Sequence, residues 1–408
     1  MSGMDRVLRN ALLGDGARVD IGIAAGKIAA ISTRLEAAGP ELDLGGRLAL
    51  PGFVETHLHL DKSCILDRCR SETGTLDEAI AEVSRIKREF TSDDVYARAS
   101  RTLEKAIVQG TTHVRTHVEV DPGIGLRGFE GIRRVAAAYR WAVDLEICVF
   151  PQEGLTNHLG TEELMREALG KGARVVGAAP YTDTDPHGQI ERVFLMARDF
   201  DVDIDMHLDL GDSPERMDAD FVCEMTERHR YGGRVTIGHV TKMALLTPER
   251  FESLARRLGD AGVAVTVLPS TDLFLMGRGQ HAHGVRGVLA AHDLLHHGVN
   301  CSLSTNNVLN PFTPFGDCSL LRMANLYANI CHVGSRDGLH RCLDMITHRA
   351  AKLLRLSDYG MEVGQPADLV VLDCAKPEQG VAELVVPLFG FKRGRQTFTR
   401  AAVELHWP

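Results

Sequence analysis

The chain contains 408 residues and carries a formal net charge of −9, which argues against nucleic acid as its main partner. Hydrophobic residues make up 44% of the chain, but no run of about 18 apolar residues occurs, so no membrane-spanning helix is expected. The nine cysteines form no C-x-x-C pair and the first residues lack the features of a signal peptide, which predicts buried thiols and a cytoplasmic location.

The first predicted elements are hairpin-like strands within residues 1–49, with turn signals at Asp15-Gly16 and Gly26-Lys27. From residue 50 onwards, short β-rich runs alternate with helical segments. The β-rich runs are 50–60, 112–120, 145–154, 174–181, 202–210, 234–241, 263–273 and 299–307. Short strands with turns return from about residue 361.

The helical segment at 91–110 shows how the intervening stretches begin and end. Thr91 or Ser92 can cap its start, and Gly110 can end it. Alternation of strands and helices predicts an α/β fold, a (β/α)₈ TIM barrel over residues 50–360, with an open doubly wound sheet as the alternative. Residues 1–49 and 361–408 are expected to form a small β-sandwich domain beside the barrel.

The stretch "FVETHLHLDKS" (53–63) ends the first run of the predicted barrel with His57 and His59. Because side chains alternate in a strand, these two histidines share one face and can bind one metal ion. Two hydrogen-bonded structural histidines are the alternative. Asp61 either orients a ligand histidine or pairs with Lys62, and the sequence leaves both roles open.

Polar residues recur at the carboxyl ends of the other predicted strands, the end at which barrel enzymes place their active sites. These residues are His117 and Glu119, Gln152 and Glu153, His207 and Asp209, His239, and Asn306 and Asn307. A same-face pair and further histidines directed to one mouth predict one divalent metal ion with an open coordination position. Zinc and iron suit imidazole ligands best, and manganese also fits them.

Several motifs also resemble a known family: "FVETHLHLDK", "FPQEG", "GAAPY", "HLDL", "VTIGHVTKM" and "NNVLNPFTPFG". They follow the order found in the cytosine deaminase-like and N-isopropylammelide amidohydrolase-like members of the amidohydrolase superfamily. The resemblance covers the whole chain and implies a (β/α)₈ barrel with one divalent metal ion. It implies that His57, His59, His207 and Asn306 hold the ion, that His239 lies beside the reacting water and that Gln152 binds the substrate.

Two residues depart from the family pattern. Leu210 stands where the deaminases have a glutamate that moves protons onto the ring nitrogen, and Asn306 stands where they have an aspartate. Leucine cannot transfer a proton, and asparagine offers a carbonyl oxygen without charge or basicity. The sequence therefore favours hydrolysis of an amide, lactam or imide over deamination of an amidine.

Proton transfer needs another residue in this site. His239 is the first candidate because imidazole titrates near neutrality. Asp209 is the second, although a residue one step along a strand from His207 points to the opposite face unless the strand bends. Glu153 has no assigned face, and Glu119 either lines the pocket with His117 or pairs with it structurally.

A small-molecule substrate is expected to contact Gln152, Asn306, Asn307, Leu210 and Arg278, with pinning of the loop at 269–287 as the alternative role of Arg278. His281 and His283 in that loop are expected to be solvated, with contact to the substrate as the alternative. We expect a homo-oligomer with no nucleic-acid or membrane partner.

The leading hypothesis is a metal-dependent hydrolase that cleaves a C–N bond of a small nitrogen heterocycle or cyclic amide. A cytosine deaminase-like aminohydrolase is the alternative within the enzyme class. Leu210 and Asn306 also favour a third hypothesis, a degenerate homologue that binds a metal or ligand without turnover. Retention of His57, His59, His207 and His239 opposes it.

Overall fold

The computed structural model describes residues 4–36, 39–279, 284–401 and 403–406. Its strands are β1 (Arg6–Leu12), β2 (Arg18–Ala24), β3 (Lys27–Ser32), β4 (Glu41–Asp43), β5 (Leu48–Pro51), β6 (Phe53–Leu58), β7 (Thr111–Glu119), β8 (Asp144–Phe150), β9 (Val175–Val176), β10 (Asp203–Leu208), β11 (Val235–His239), β12 (Val263–Val267), β13 (Cys301–Leu303), β14 (Leu369–Leu372), β15 (Pro387–Lys392) and β16 (Arg395–Thr399). Its helices are α1 (Leu76–Ile86), α2 (Ser92–Val108), α3 (Arg127–Tyr139), α4 (Thr161–Gly170), α5 (Pro186–Phe200), α6 (Ala219–His229), α7 (Pro248–Ala261), α8 (Pro269–Leu275), α9 (Ala291–Leu294), α10 (Leu320–Ile330), α11 (Arg336–Asp344), α12 (His348–Leu353) and α13 (Pro377–Ala382). None of the helices in these described ranges is long and apolar enough to span a membrane.

Strands β6 to β13 form a parallel sheet in chain order, and helices separate consecutive strands. A parallel bridge between Leu58 and Asn306 joins the two edge strands and closes the sheet into a barrel. This confirms the predicted (β/α)₈ fold. β9 and β13 are much shorter than the predicted runs, because Pro180 begins a 3₁₀ turn after β9 and Asn306 takes a left-handed φ of 65° after β13.

Local sequence explains the helix packed beside β7. Thr91 caps α2, and its side chain accepts a hydrogen bond from Asp94 N at 3.1 Å. Val95, Ala99 and Leu103 recur every four residues on the buried face. The helix therefore starts at the first of the two predicted caps and covers the barrel wall.

The second sheet contains strands from both ends of the chain, in the order β16-β15-β14-β5-β1-β2-β3, with β4 paired to β1. Most neighbours are antiparallel, whereas β1 pairs in parallel with β4 and β5. The predicted run 50–60 is divided between the two sheets, since β5 pairs with β14 and β6 pairs with β7. Gly52 lies at this junction, where a Cβ atom would come within 2.2 Å of Thr112.

A buried ion cluster fixes the terminal sheet to the amino-terminal end of the barrel. Lys392 Nζ donates hydrogen bonds to Asp368 Oδ2 at 2.6 Å and to Thr112 O at 3.1 Å, and it lies 2.8 Å from Asp144 Oδ2. His113 Nε2 lies 3.3 Å from the same ammonium. Burial, reinforced by Lys392, lowers the pKa of His113 from 6.5 to about 4.

We predict that His113 contributes to acid sensitivity of the folded protein. Below pH 6.5 the unfolded chain binds a proton that folded His113 accepts only near pH 4, so the free energy of unfolding falls as the pH falls between these values. Each pKa unit corresponds to about 1.4 kcal/mol, which gives a loss of roughly 3 kcal/mol near the lower limit. Urea unfolding at about pH 7 and about pH 4.5 should show a smaller loss for His113→Gln than for the wild type.

The surface histidine His296 provides the control, and His296→Gln should keep the wild-type pH dependence. Identical pH dependence of His113→Gln and the wild type would contradict the assignment.

Candidate metal centre and active site

Three histidine side chains converge at the carboxyl end of the barrel. His207 Nε2 lies 3.1 Å from His57 Nε2 and 3.0 Å from His59 Nε2. His57 lies in β6 and His207 in β10, whereas His59 follows the last residue of β6. The two residues of the His-x-His pair thus reach the same partner, as their predicted common face requires.

The protonation state of these imidazoles suits a metal ion. Burial, reinforced by neighbouring imidazoles and Lys62, lowers the pKa of His57, His59 and His207 well below the ordinary value of 6.5. The rings are therefore neutral near pH 7, and each carries one N–H and one lone pair. Three Nε2 atoms that face one another cannot all form good hydrogen bonds among themselves. A divalent cation, by contrast, can accept all three lone pairs.

The spacing of the nitrogens also fits. Zinc binds imidazole nitrogen at about 2.0–2.1 Å in tetrahedral geometry, which separates two ligand nitrogens by about 3.3 Å. The observed separations of 3.0 and 3.1 Å are close to that value. Among the described residues, Nδ1 of His57, His59 and His207 has no hydrogen-bond partner.

Asn306 adds an oxygen atom to this group. Its Oδ1 is buried and has no hydrogen-bond partner within the described part of the chain, and its Nδ2 lies 3.5 Å from His239 Nε2. The amide oxygen is therefore available to a cation or to a substrate. Asn306 N donates to His57 O at 2.8 Å, so the asparagine is positioned directly beside β6.

His239 lies close to the three converging histidines. His57, His207 and His239 each place a ring nitrogen within 4.8 Å of those of the other two. His239 Nδ1 is 2.6 Å from Asp272 Oδ1, which leaves Nε2 directed to Asn306. Burial raises the pKa of the Asp272 carboxyl group, and His239 opposes that shift.

A small cavity lies against these groups. Polar and apolar side chains line it together: His59, Lys62, Gln152, Tyr181, His207, Leu210, His239, Thr271, Leu275, Asn306, Asn307 and Phe312. The predicted substrate residues Gln152, Leu210, Asn306 and Asn307 are therefore brought together here.

Sequence analysis missed Lys62 as a residue of the cavity. Lys62 Nζ donates hydrogen bonds to Glu119 Oε1 at 2.7 Å and to Gln152 Oε1 at 3.2 Å, and it lies 4.3 Å from the centre of the Phe312 ring. Lys62 lies three residues after His59, and this closeness to the His-x-His pair could have indicated that it reaches the site. Asp61 accepts hydrogen bonds from the backbone N–H groups of Lys62 and Glu119, both at 2.9 Å, so its carboxylate orients this segment.

Asp272 was missed as well, because it lies in the first turn of α8, after the seventh barrel strand, and no histidine lies near it in sequence. By contrast, the predicted catalytic role of Asp209 does not agree with its position. The Asp209 carboxylate accepts hydrogen bonds from Asp218 N at 2.8 Å and from Ala219 N at 3.1 Å. It therefore caps the start of α6, and we do not assign it a catalytic role.

The remaining strand-end residues contact the candidate ligands or neighbouring charged residues and do not line the cavity. His117 stacks on His57 with ring centres 3.8 Å apart, and its Nε2 is 3.4 Å from Asp205 Oδ1. Glu119 and Glu153 both form ion pairs with Lys87. His117 and Glu119 are thus not paired with each other.

Arg278 reaches the rim of the barrel mouth. Its Nη1 donates to Thr73 O at 3.1 Å, and its guanidinium lies 4.5 Å from the centre of the Phe274 ring. These contacts agree with the alternative in which Arg278 pins the loop, and Arg278 is not among the cavity-lining residues above. His281 and His283 lie outside the residues that the structure describes.

We predict that His57→Ala and His207→Ala each abolish tight metal binding. Removing one of three converging nitrogens leaves too few donors for a divalent ion. Elemental analysis of the purified wild type should show about one equivalent of metal per chain. His296→Ala, on the surface near the opposite end of β13, should retain the wild-type metal content, and retention of metal by His207→Ala would contradict the assigned centre.

A model of the Amidohydrolase family matches residues 48–397 of the chain. N-isopropylammelide isopropyl amidohydrolase of Pseudomonas sp. (strain ADP) is 28% identical over 403 residues, covering 96% of each protein. A pterin deaminase of Rhizobium rhizogenes (strain K84 / ATCC BAA-868) is 26% identical over 342 residues, covering 82% of this chain and 77% of that protein.

The fold is also similar to that of 5-methylcytosine deaminase from Klebsiella pneumoniae in complex with 5-fluorocytosine, with a TM-score of 0.94 and 29% identity. That match covers 98% of this chain and 99% of the other. Because the family match spans the whole barrel, the chain belongs to the amidohydrolase family, as its ordered motifs predicted.

Proposed function

We propose that this protein is a metal-dependent hydrolase that cleaves a C–N bond of a small nitrogen heterocycle or cyclic amide. The observation that carries the proposal is the convergence of the three buried Nε2 atoms beside a small polar cavity. One divalent ion, zinc or iron with manganese also suitable, would be held by His57, His59, His207 and Asn306 Oδ1. Such an ion polarises a carbonyl group and favours ionisation of water.

The cavity supports a small substrate. Twelve residues line it, and little free space remains between them. A single ring fits this size better than an extended molecule. The relatives named above also act on nitrogen heterocycles according to their names: an ammelide, a pterin and a methylcytosine.

Lys62 and Gln152 are suited to hold a ring by its polar edge. Lys62 has three N–H donors, and Glu119 and Gln152 take two of them. The third donor can bind a carbonyl oxygen of the substrate, and Gln152 Nε2, which lies 3.4 Å from the Tyr181 hydroxyl, can bind a second acceptor. Phe312 and Leu275 contribute apolar surface against the faces of the ring.

His239 is the residue that would transfer the proton from the attacking water to the leaving nitrogen. Leu210 lines the cavity without a proton to exchange, and Asn306 has no basic group. His239 Nε2 faces Asn306 and can take a proton from water and return it to the leaving nitrogen. An amide needs no protonation of a ring amidine before its C–N bond breaks, so this arrangement favours amide, lactam or imide hydrolysis.

Deamination is the second candidate because the named relatives include deaminases of similar length and fold. It requires an acid that protonates the ring, and Leu210 cannot be that acid. A degenerate binding protein is the alternative of another class. The four converging histidines oppose it, since a site without turnover has no chemical need for them.

A substrate panel tests these candidates directly. We expect the metal-loaded protein to hydrolyse a cyclic amide or imide, with the product identified by mass spectrometry, and to release little ammonia from aminopyrimidines and aminotriazines. Brisk ammonia release from an aminopyrimidine would contradict the argument from Leu210. Metal binding without turnover of any panel member would favour the binding protein.

Restoring the family carboxylates tests the departures from the pattern. We predict that Leu210→Glu combined with Asn306→Asp lowers kcat/KM for the native substrate by about tenfold or more, because a buried carboxylate is costly and added negative charge disfavours ionisation of the attacking water. Leu210→Gln, of the same size and uncharged, is the matched control and should cost less. A double variant with higher kcat/KM on the native substrate would contradict the prediction.

A further inference from the structure

The His239–Asp272 pair is buried and closely bonded. His239 Nδ1 and Asp272 Oδ1 are 2.6 Å apart, and the side chains are 3% and 0% exposed. The second carboxylate oxygen, Oδ2, accepts a hydrogen bond from Leu268 N at 3.1 Å. Asp272 is therefore held at both oxygens, one by the backbone before α8 and one by the imidazole.

This contact determines where the imidazole carries its proton. An ionised carboxylate only accepts hydrogen bonds, so it selects the tautomer in which Nδ1 carries the hydrogen and Nε2 carries the lone pair. The neighbour at Nε2 agrees with this choice. Asn306 Nδ2, a donor, faces Nε2 at 3.5 Å, whereas an aspartate at position 306 would present an acceptor there.

The His239 backbone is also held in an uncommon conformation. His239 has a left-handed φ of 69°, and Val240 follows with 50°. These values end β11 abruptly, and Val240 N donates to Leu208 O at 3.0 Å. A left-handed conformation is uncommon for a residue with a Cβ atom, so the surrounding structure holds the His239 backbone in place. The contact with Asp272 holds the ring.

We propose that Asp272 is a positioning residue that holds His239 as the Nδ1–H tautomer, with the Nε2 lone pair directed into the cavity for proton transfer. The chemical step rests on the proposed function. The water O–H bond breaks as the water oxygen bonds to the substrate carbon, and its proton passes to His239 Nε2. The C–N bond then breaks, the nitrogen keeps the electron pair, and Nε2 returns the proton to it.

Positions 210 and 306 carry no carboxylate. Asp272 provides one, and it contacts His239 at Nδ1, the nitrogen that faces away from Asn306. The pair serves orientation and tautomer choice, and Asp272 itself touches neither substrate nor reacting atoms.

Nuclear magnetic resonance of ¹⁵N-histidine-labelled protein tests the tautomer without any substrate. His239→Gln identifies the His239 signals. We expect Nδ1–H in the wild type, with a strongly downfield proton, and loss of that proton signal together with mixed tautomers in Asp272→Ala. An Nε2–H tautomer in the wild type, or unchanged signals in Asp272→Ala, would overturn the proposal.

Kinetics with an active member of the substrate panel provide the second measurement. Asp272→Ala should lower kcat about 100-fold with KM changed less than threefold and metal content unchanged, which is the size expected for loss of oriented proton transfer. Asp272→Glu should restore part of kcat. Asp20→Ala, which removes a buried carboxylate from the terminal sheet, controls for general destabilisation and should keep the wild-type kcat.

The possible failures can be told apart. An inactive wild type with the Nδ1–H tautomer would refute the proposed hydrolysis and with it the transfer step, while the positioning of His239 by Asp272 would stand. Loss of metal from Asp272→Ala would show that Asp272 acts through a metal ligand and would overturn the proposal. If Asp272→Ala does not fold, Asp272→Asn is measured in its place, and an unchanged kcat and proton signal there overturn the proposal equally.

Discussion

Two backbone hydrogen bonds close the barrel and, at the same time, position the candidate metal ligands. Asn306 N donates to His57 O, and His59 N donates to Asn306 O, both at 2.8 Å. The last strand of the barrel is thereby joined to the first at the residues whose side chains converge on one space. The site exists only if the barrel closes in this register, because a shift of one residue would turn His57 and His59 to the other face. The register in which the barrel closes therefore determines the site.

The buried charges beside the site impose a second constraint. Burial alone would raise the pKa of Glu119, but Lys62 and Lys87 lower it to about 2, so the carboxylate stays ionised inside the protein. Lys87 in turn pairs with Asp121 at 2.5 Å. An isolated buried charge would be very costly, whereas this chain of alternating charges satisfies each member. Glu119 therefore holds the Lys62 side chain at the wall of the cavity, where it can offer a donor to a ligand.

The distribution of carboxylates around the cavity supports the proposed chemistry. Leu210 and Asn306 leave the cavity side of the proposed centre without an acidic group, while Asp272 places one behind His239. The residues that line the cavity include no carboxylate, and the carboxylate of Asp272 contacts the imidazole of His239. That arrangement agrees with the chemistry of an amide, in which water must lose a proton and the leaving nitrogen must gain one. It agrees poorly with an amidine.

The sequence by itself determined the parts that depend on local periodicity. The alternation of strands and helices predicted the barrel, and the His-x-His spacing placed His57 and His59 on one face. Strand-end position also brought Gln152 and Asn307 to the cavity, because parallel strands present their carboxyl ends to one side.

Tertiary structure alone decided which side chains became partners. Asp209 and His239 end their strands in left-handed conformations, with φ of 48° and 69°, and there the alternation rule no longer applies. The Asp209 carboxylate binds the start of α6. His239 instead contacts Asp272, which lies in a helix 33 residues further along the chain. Such contacts depend on the packing of a whole helix against a strand end, and no local pattern encodes the distance between two side chains that only the closed barrel brings together.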